Sequence, residues 1–208
     1  MELMKLDKGW KRVWFYYLYL WIGWGLFRWL FNLPEAIEEL WIKPVIWLLP
    51  IWFIRAKQKK RINWFKGNGL KAILAGLGLG VLYSGVTILS KMKAGVGFEG
   101  WFGVEGWWMI GVGLVTAIVE QLAFAGFIFY NLKDKFESRW GLAVLIGLMF
   151  GLMHIPIGVS MYGLQGWGLI LIVGLFGLIQ IGNVWLVGVT GNVISAIIAH
   201  WLVGIWWG

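Results

Sequence analysis

Long apolar runs alternate with short, mostly basic loops along the whole chain. A bilayer core of roughly 30 Å takes about 20 apolar residues in a helix, so each run of that length is a candidate span. Val13–Phe31 is the first, interrupted only by Arg28 near its far end, where a long side chain can snorkel to the interface. Asn32–Lys43 is amphipathic and acidic. It predicts a helix along the outer interface, with Glu38, Glu39 and Lys43 as solvated charges. Pro44–Ile54 is apolar but short, which leaves a tilted, a re-entrant and a Pro50-broken helix all open. Leu70–Ser90 follows, with Gly76, Gly78, Gly80 and Gly85 flattening it for close packing. Beyond the glycine-rich outer loop Lys91–Gly106 come Trp107–Tyr130 and, after the mixed-charge loop Lys133–Arg139, Trp140–Ile157, which carries a Gly147/Gly151 pair at GxxxG spacing. A turn region over Ile155–Gln165 leads to Gly166–Val187, and Gly191–Trp207 closes the series. The pattern predicts an all-α, polytopic transmembrane bundle of about seven helices, one of them short or re-entrant. It divides into N-terminal membrane helices with a basic loop (1–106) and a core (107–208).

Composition agrees with lipid as the solvent. Of the 208 residues, 60% are hydrophobic and 13% charged, where a soluble domain carries about 25% charged residues. The 18 tryptophans read as interfacial belt residues and the 31 glycines as packing positions. A formal charge of +8 raises the question of nucleic acid, but the basic residues cluster in short loops between apolar runs. Arg55–Lys66 holds six Lys and Arg (55, 57, 59, 60, 61 and 66) and no acid, and Met1–Arg12 adds Lys5, Lys8, Lys11 and Arg12. Both are therefore placed in the cytoplasm, against the acidic lipids of what is expected to be the plasma membrane. Val13–Phe31 is too long and aromatic for a signal-peptide core and lacks a small-residue cleavage site, so it reads as a retained first span. With no cysteine, disulfides, thiolate zinc sites and cysteine nucleophiles are excluded.

The chemistry that remains is sparse. Glu120 sits in an uncharged stretch running from Trp107 to Lys133, and a carboxylate at a helix centre costs about 2.5–3.5 kcal/mol on insertion scales. The chain has two histidines, His154 and His200, each inside a later apolar run. At ~1.5 Å per residue all three fall into a middle layer of the membrane, so a common site is allowed.

Three stretches in this order resemble the CPBP family of intramembrane proteases, which includes CAAX proteases and bacteriocin-processing enzymes. Its motifs are EExxxR, FxxxH and HxxxN or HxxxD on successive helices. Glu120-Gln121 through Ala125, Phe150 to His154, and His200 to Gly204 occupy those places. The resemblance implies an intramembrane endopeptidase in which Glu120 is the general base on water. His154 would orient that water or stabilise the oxyanion, and His200 would assist. Gln121, Phe124 and Phe150 support, the two phenylalanines chiefly by packing. The substrate would be a peptide or lipidated protein at the membrane. No cofactor is expected; if a metal were bound, Glu120, His154 and His200 would be its three ligands. The motif's second acid, its arginine and its last amide are here Gln121, Ala125 and Gly204. Positions 121 and 125 share a helix face, so their joint change removes an ion pair and leaves no orphan charge. Asn192 and Gln180 are candidate substitutes for the amide missing at Gly204. Two other readings stay open: a catalytically impaired relative serving as a peptide-binding, immunity or scaffold protein, and a proton-coupled transporter.

Overall fold

The computed structural model describes residues 8–31, 33–58, 63–95 and 104–206, without the side chains of 104–106 and 109. Residues 1–7 of the basic N-terminus, 59–62 of the basic loop and 96–103 of the glycine-rich loop lie outside them. Helix α1 spans Lys8–Leu30. Then α2 (Glu35–Ile37), a π-helical stretch (Glu38–Ile42) and α3 (Lys43–Ala56) run on as one rod. Helix α4 covers Gly69–Lys93, and α5 (Val104–Gln121), a second π-helical stretch (Leu122–Ile128) and α6 (Phe129–Leu132) form the next rod. The remaining helices are α7 (Arg139–Leu152), the short α8 (Ile155–Ser160), α9 (Trp167–Thr190) and α10 (Ile194–Gly204). Counting α8 with α7, these make seven rods, and no described residue belongs to a β-strand.

Among the described residues, four segments are long and apolar enough to cross a bilayer: Gly69–Lys93, Ile110–Lys135, Arg139–Ser160 and Trp167–Thr190. They coincide closely with the apolar runs read from the sequence. Helix α1 matches them in length, but its tyrosines, tryptophans and basic residues make it less apolar. Large apolar side chains such as Leu74, Leu82, Leu148 and Leu178 point outward, as a lipid-facing surface requires.

The segment between α1 and α4 departs from expectation. Its helix does not break at Pro50; it continues from Glu35 through both prolines to Ala56, with its charged face turned into the protein. Pro44 has no N–H to offer one turn back, and just before it the Lys43 N–H closes a wider, π-type bond to the Glu38 carbonyl. Glu38, Glu39 and Lys43, expected in solvent, are 1%, 5% and 4% exposed. Arg28, expected to snorkel outward, is likewise buried.

Small residues set the closest helix contacts. A Cβ at Gly151 would overlap the Val173 carbonyl oxygen, and one at Gly147 would press on Ile181 and the Gly177 carbonyl, so this GxxxG pair seats α7 against α9. Gly76 and Gly80 do the same for α4 on α10, whereas Gly78 and Gly85 face open space. A seam ties the two halves of the chain. The Gly67 N–H donates to the Gly191 carbonyl (3.2 Å) and the Val193 N–H to the Trp64 carbonyl (3.0 Å). A side chain at Gly67 would collide with the Thr190 carbonyl, and Gly191 itself has φ +69°, a left-handed conformation suited to glycine.

Candidate active site

Glu120 is the penultimate residue of α5, just ahead of the second π-helical stretch, where the altered backbone phase packs Phe124 and Phe127 into the core. The carboxylate is 5% exposed and both its oxygens are engaged. Oε1 accepts from the Lys43 ammonium at 2.7 Å, and Oε2 accepts from His200 Nε2 at 2.9 Å. A carboxylate can only accept, so His200 carries a proton on Nε2. The other face of that imidazole, Nδ1, lies 3.4 Å from the Asn183 amide nitrogen.

His154 lies in the turn between α7 and α8 and is fixed differently. Its Nδ1 lies 2.9 Å from the Phe150 carbonyl one turn back; a carbonyl cannot donate, so Nδ1 carries the proton and Nε2 is left as the free edge. The ring stacks on Phe176 at 3.7 Å. Phe150 is the hinge of the arrangement: its ring meets His154 at 4.8 Å, His200 at 5.7 Å and Phe124 at 5.0 Å, each edge to face. His154, His200 and Phe124 thus meet one phenylalanine, and Glu120 joins them through its bond to His200.

Gln121 is fully buried and forms a reciprocal amide pair with Gln180 of α9, at 2.9 and 3.2 Å. Gln180 therefore does not serve His200. Neither does Asn192, whose side chain bonds the Gly67 carbonyl and the Ile194 N–H at the seam. The amide at His200 is Asn183, which sequence reasoning missed; the signal was a Gln180-x-x-Asn183 pair on one face of an otherwise apolar helix.

The larger omission is ionic. Lys43 bridges Glu120 to Glu39, bonding Glu39 Oε2 at 2.7 Å, and Thr116 Oγ1 donates to the same oxygen at 2.7 Å. Glu39 Oε1 accepts from Arg28 at 3.1 Å, and Arg28 also pairs with Glu38. Two cations thus face three carboxylates in a buried chain that runs from α1 to Glu120. It carries one negative charge in excess, and its Glu120 end meets the Nε2–H of His200. Such a chain is tolerable at depth only because each charge is matched at hydrogen-bond distance. The spacing Glu38-Glu39-x-x-x-Lys43, two acids and a base at the family motif's own intervals, was the overlooked signal.

Among the described residues no three His, Cys, Asp or Glu side chains group as ligands, and the Lys43 ammonium occupies the Glu120 oxygen that a metal would take.

No curated protein and no solved structure matches the chain. A family model does, over residues 102–206, described as Type II CAAX prenyl endopeptidase Rce1-like. The matched half contains Glu120, His154 and His200 and leaves out Arg28, Glu38, Glu39 and Lys43. On that match the chain belongs to the Rce1-like family of membrane proteases.

Proposed function

We propose that the chain is an intramembrane endopeptidase, hydrolysing a peptide bond that reaches the bilayer. The observation that carries this reading is that His154 and His200 both meet the Phe150 ring while His200 also bonds the Glu120 carboxylate. Glu120 is the general base. It takes a proton from water as the hydroxide adds to the peptide carbonyl, and the proton passes to the leaving amine as the C–N bond breaks. His154, with Nδ1 committed to the Phe150 carbonyl, presents Nε2: neutral, it accepts from and orients the water, and protonated, it donates to the oxyanion. His200 holds the Glu120 carboxylate and is held in turn by Asn183. No step needs a metal. The basic segments Met1–Arg12 and Arg55–Lys66 face the cytoplasm in this reading.

A second reading has its own support. Both Glu120 oxygens are already bonded, and Gln121, Ala125 and Gly204 depart from the family's pattern, which suits a relative that binds membrane peptides without cutting them. Purified wild type and Glu120→Ala in liposomes, offered membrane-spanning and lipidated peptides, separate the two. Cleavage by the wild type that falls at least a hundredfold in Glu120→Ala supports the peptidase. Equal cleavage by both sinks it. Peptide binding by both forms with no product favours the binding protein.

A further inference from the structure

We infer that Lys43 is a positioning residue for Glu120: the N-terminal half supplies the buried cation that position 125 lacks, and this cation holds the Glu120 carboxylate against His200. The inference rests on the peptidase reading for its catalytic meaning, not for the geometry. Lys43 lies outside the family-matched residues, yet its ammonium is 2.7 Å from carboxylates on two different rods. It is 4% exposed, with the Trp47 ring 5.3 Å and the Trp24 ring 6.0 Å from Nζ, so aromatic faces enclose the side of the ammonium that carries no carboxylate.

The bland alternative makes Lys43 a counter-ion for Glu39 alone. Glu39 has little need of it, because Arg28 bonds one of its oxygens and Thr116 the other. Glu120 is different: among the described residues, Lys43 is the one lysine or arginine paired with it. The dependence therefore runs in one direction. Arg28 and Thr116 fix Glu39, Glu39 aims Lys43 one helical turn on, and Lys43 takes Oε1 so that Oε2 faces His200. Gripped from opposite sides, the carboxylate cannot rotate. An arginine at 125 would have to act from within the Glu120 helix; this cation arrives from the segment between α1 and α4, so that segment completes the site.

Having two histidines in the chain makes the test clean. Protein labelled with ¹⁵N-histidine gives two side-chain signal sets, assigned with His154→Phe. Lys43→Met alone risks misfolding by leaving three buried carboxylates facing one cation, so the main variant is Lys43→Met/Glu39→Gln, which keeps the net charge of the cluster. Lys43→Gln reads the same signal should the double variant not fold. The expected result is a hydrogen-bonded His200 Nε2–H signal in the wild type and in Lys43→Arg. In the double variant that signal is lost or displaced while Tm stays within a few degrees. Peptide cleavage falls with it, kcat at least tenfold and KM within about twofold, and Lys43→Arg recovers most of it. An unchanged His200 signal in the folded double variant overturns the inference, whether or not the wild type cuts peptides. A displaced signal in a protein that cuts nothing leaves the Lys43 grip standing and removes the peptidase reading instead.

Discussion

The two halves of the molecule handle buried polarity in opposite ways. The family-matched half, apart from Glu120 and its histidines, uses neutral amides: Gln121 with Gln180, and Asn183 on His200. The N-terminal half uses full charges: Arg28, Glu38, Glu39 and Lys43. Where the motif has an ion pair beside its base, this chain has amides, and the charge reaches Glu120 from the other half. Two departures that looked like losses, Gln121 and Ala125, are thus part of a redistribution. An amide pair costs less to bury than a lone acid, and the cation it released is replaced from outside the motif.

The contrast can be broken most severely at Lys43. Lys43→Met leaves three buried carboxylates facing one arginine and should destabilise the protein by about 3–5 kcal/mol, the cost of removing one partner from a buried pair. Reversible unfolding in mixed micelles measures it. Adding Glu39→Gln should recover most of that loss; if it recovers nothing, the charged half does not work as a linked network. On the amide side the expected effect is smaller. Gln121→Leu leaves Gln180 unpaired and should cost ~1–3 kcal/mol, while Gln121→Leu/Gln180→Leu should lie nearer to wild type. A double variant showing the full sum of both losses would contradict the reciprocal pair. Smallest of all is Gly204→Asn, which restores the motif's amide. A Cβ there meets nothing within 4 Å. With Asn183 already on His200, the change should shift stability by under ~0.5 kcal/mol and leave peptide cleavage within about twofold. A large gain in activity would mean that the Asn183 contact does not stand in for the missing amide.

Much of the fold was legible because lipid-length apolar runs have few alternative structures. Glu120, His154 and His200 were legible because each is isolated among apolar neighbours, and their order matched a pattern. The segment 32–56 was misread for a definite physical reason. A polar helix face looks the same in sequence whether it meets water or another element's charges, and only the packing partner decides. Arg28, one helix earlier, was that partner, and it too was assigned to the interface. Pro50 misled because a proline removes one helical bond without obliging the helix to stop. Asn183 escaped notice because its partner His200 lies on a different helix, beyond the reach of spacing arguments.

Helix α10, which carries His200, has only 11 residues and so reaches about 16 Å, roughly half the depth of a bilayer core. Its last turn is met from within the protein: Ser84 on α4 donates to the Leu202 carbonyl at 3.0 Å. His200 lies within about two helical turns of either end of α10, so in the peptidase reading proposed above a water molecule has only a short path along this helix to the Glu120–His200 pair.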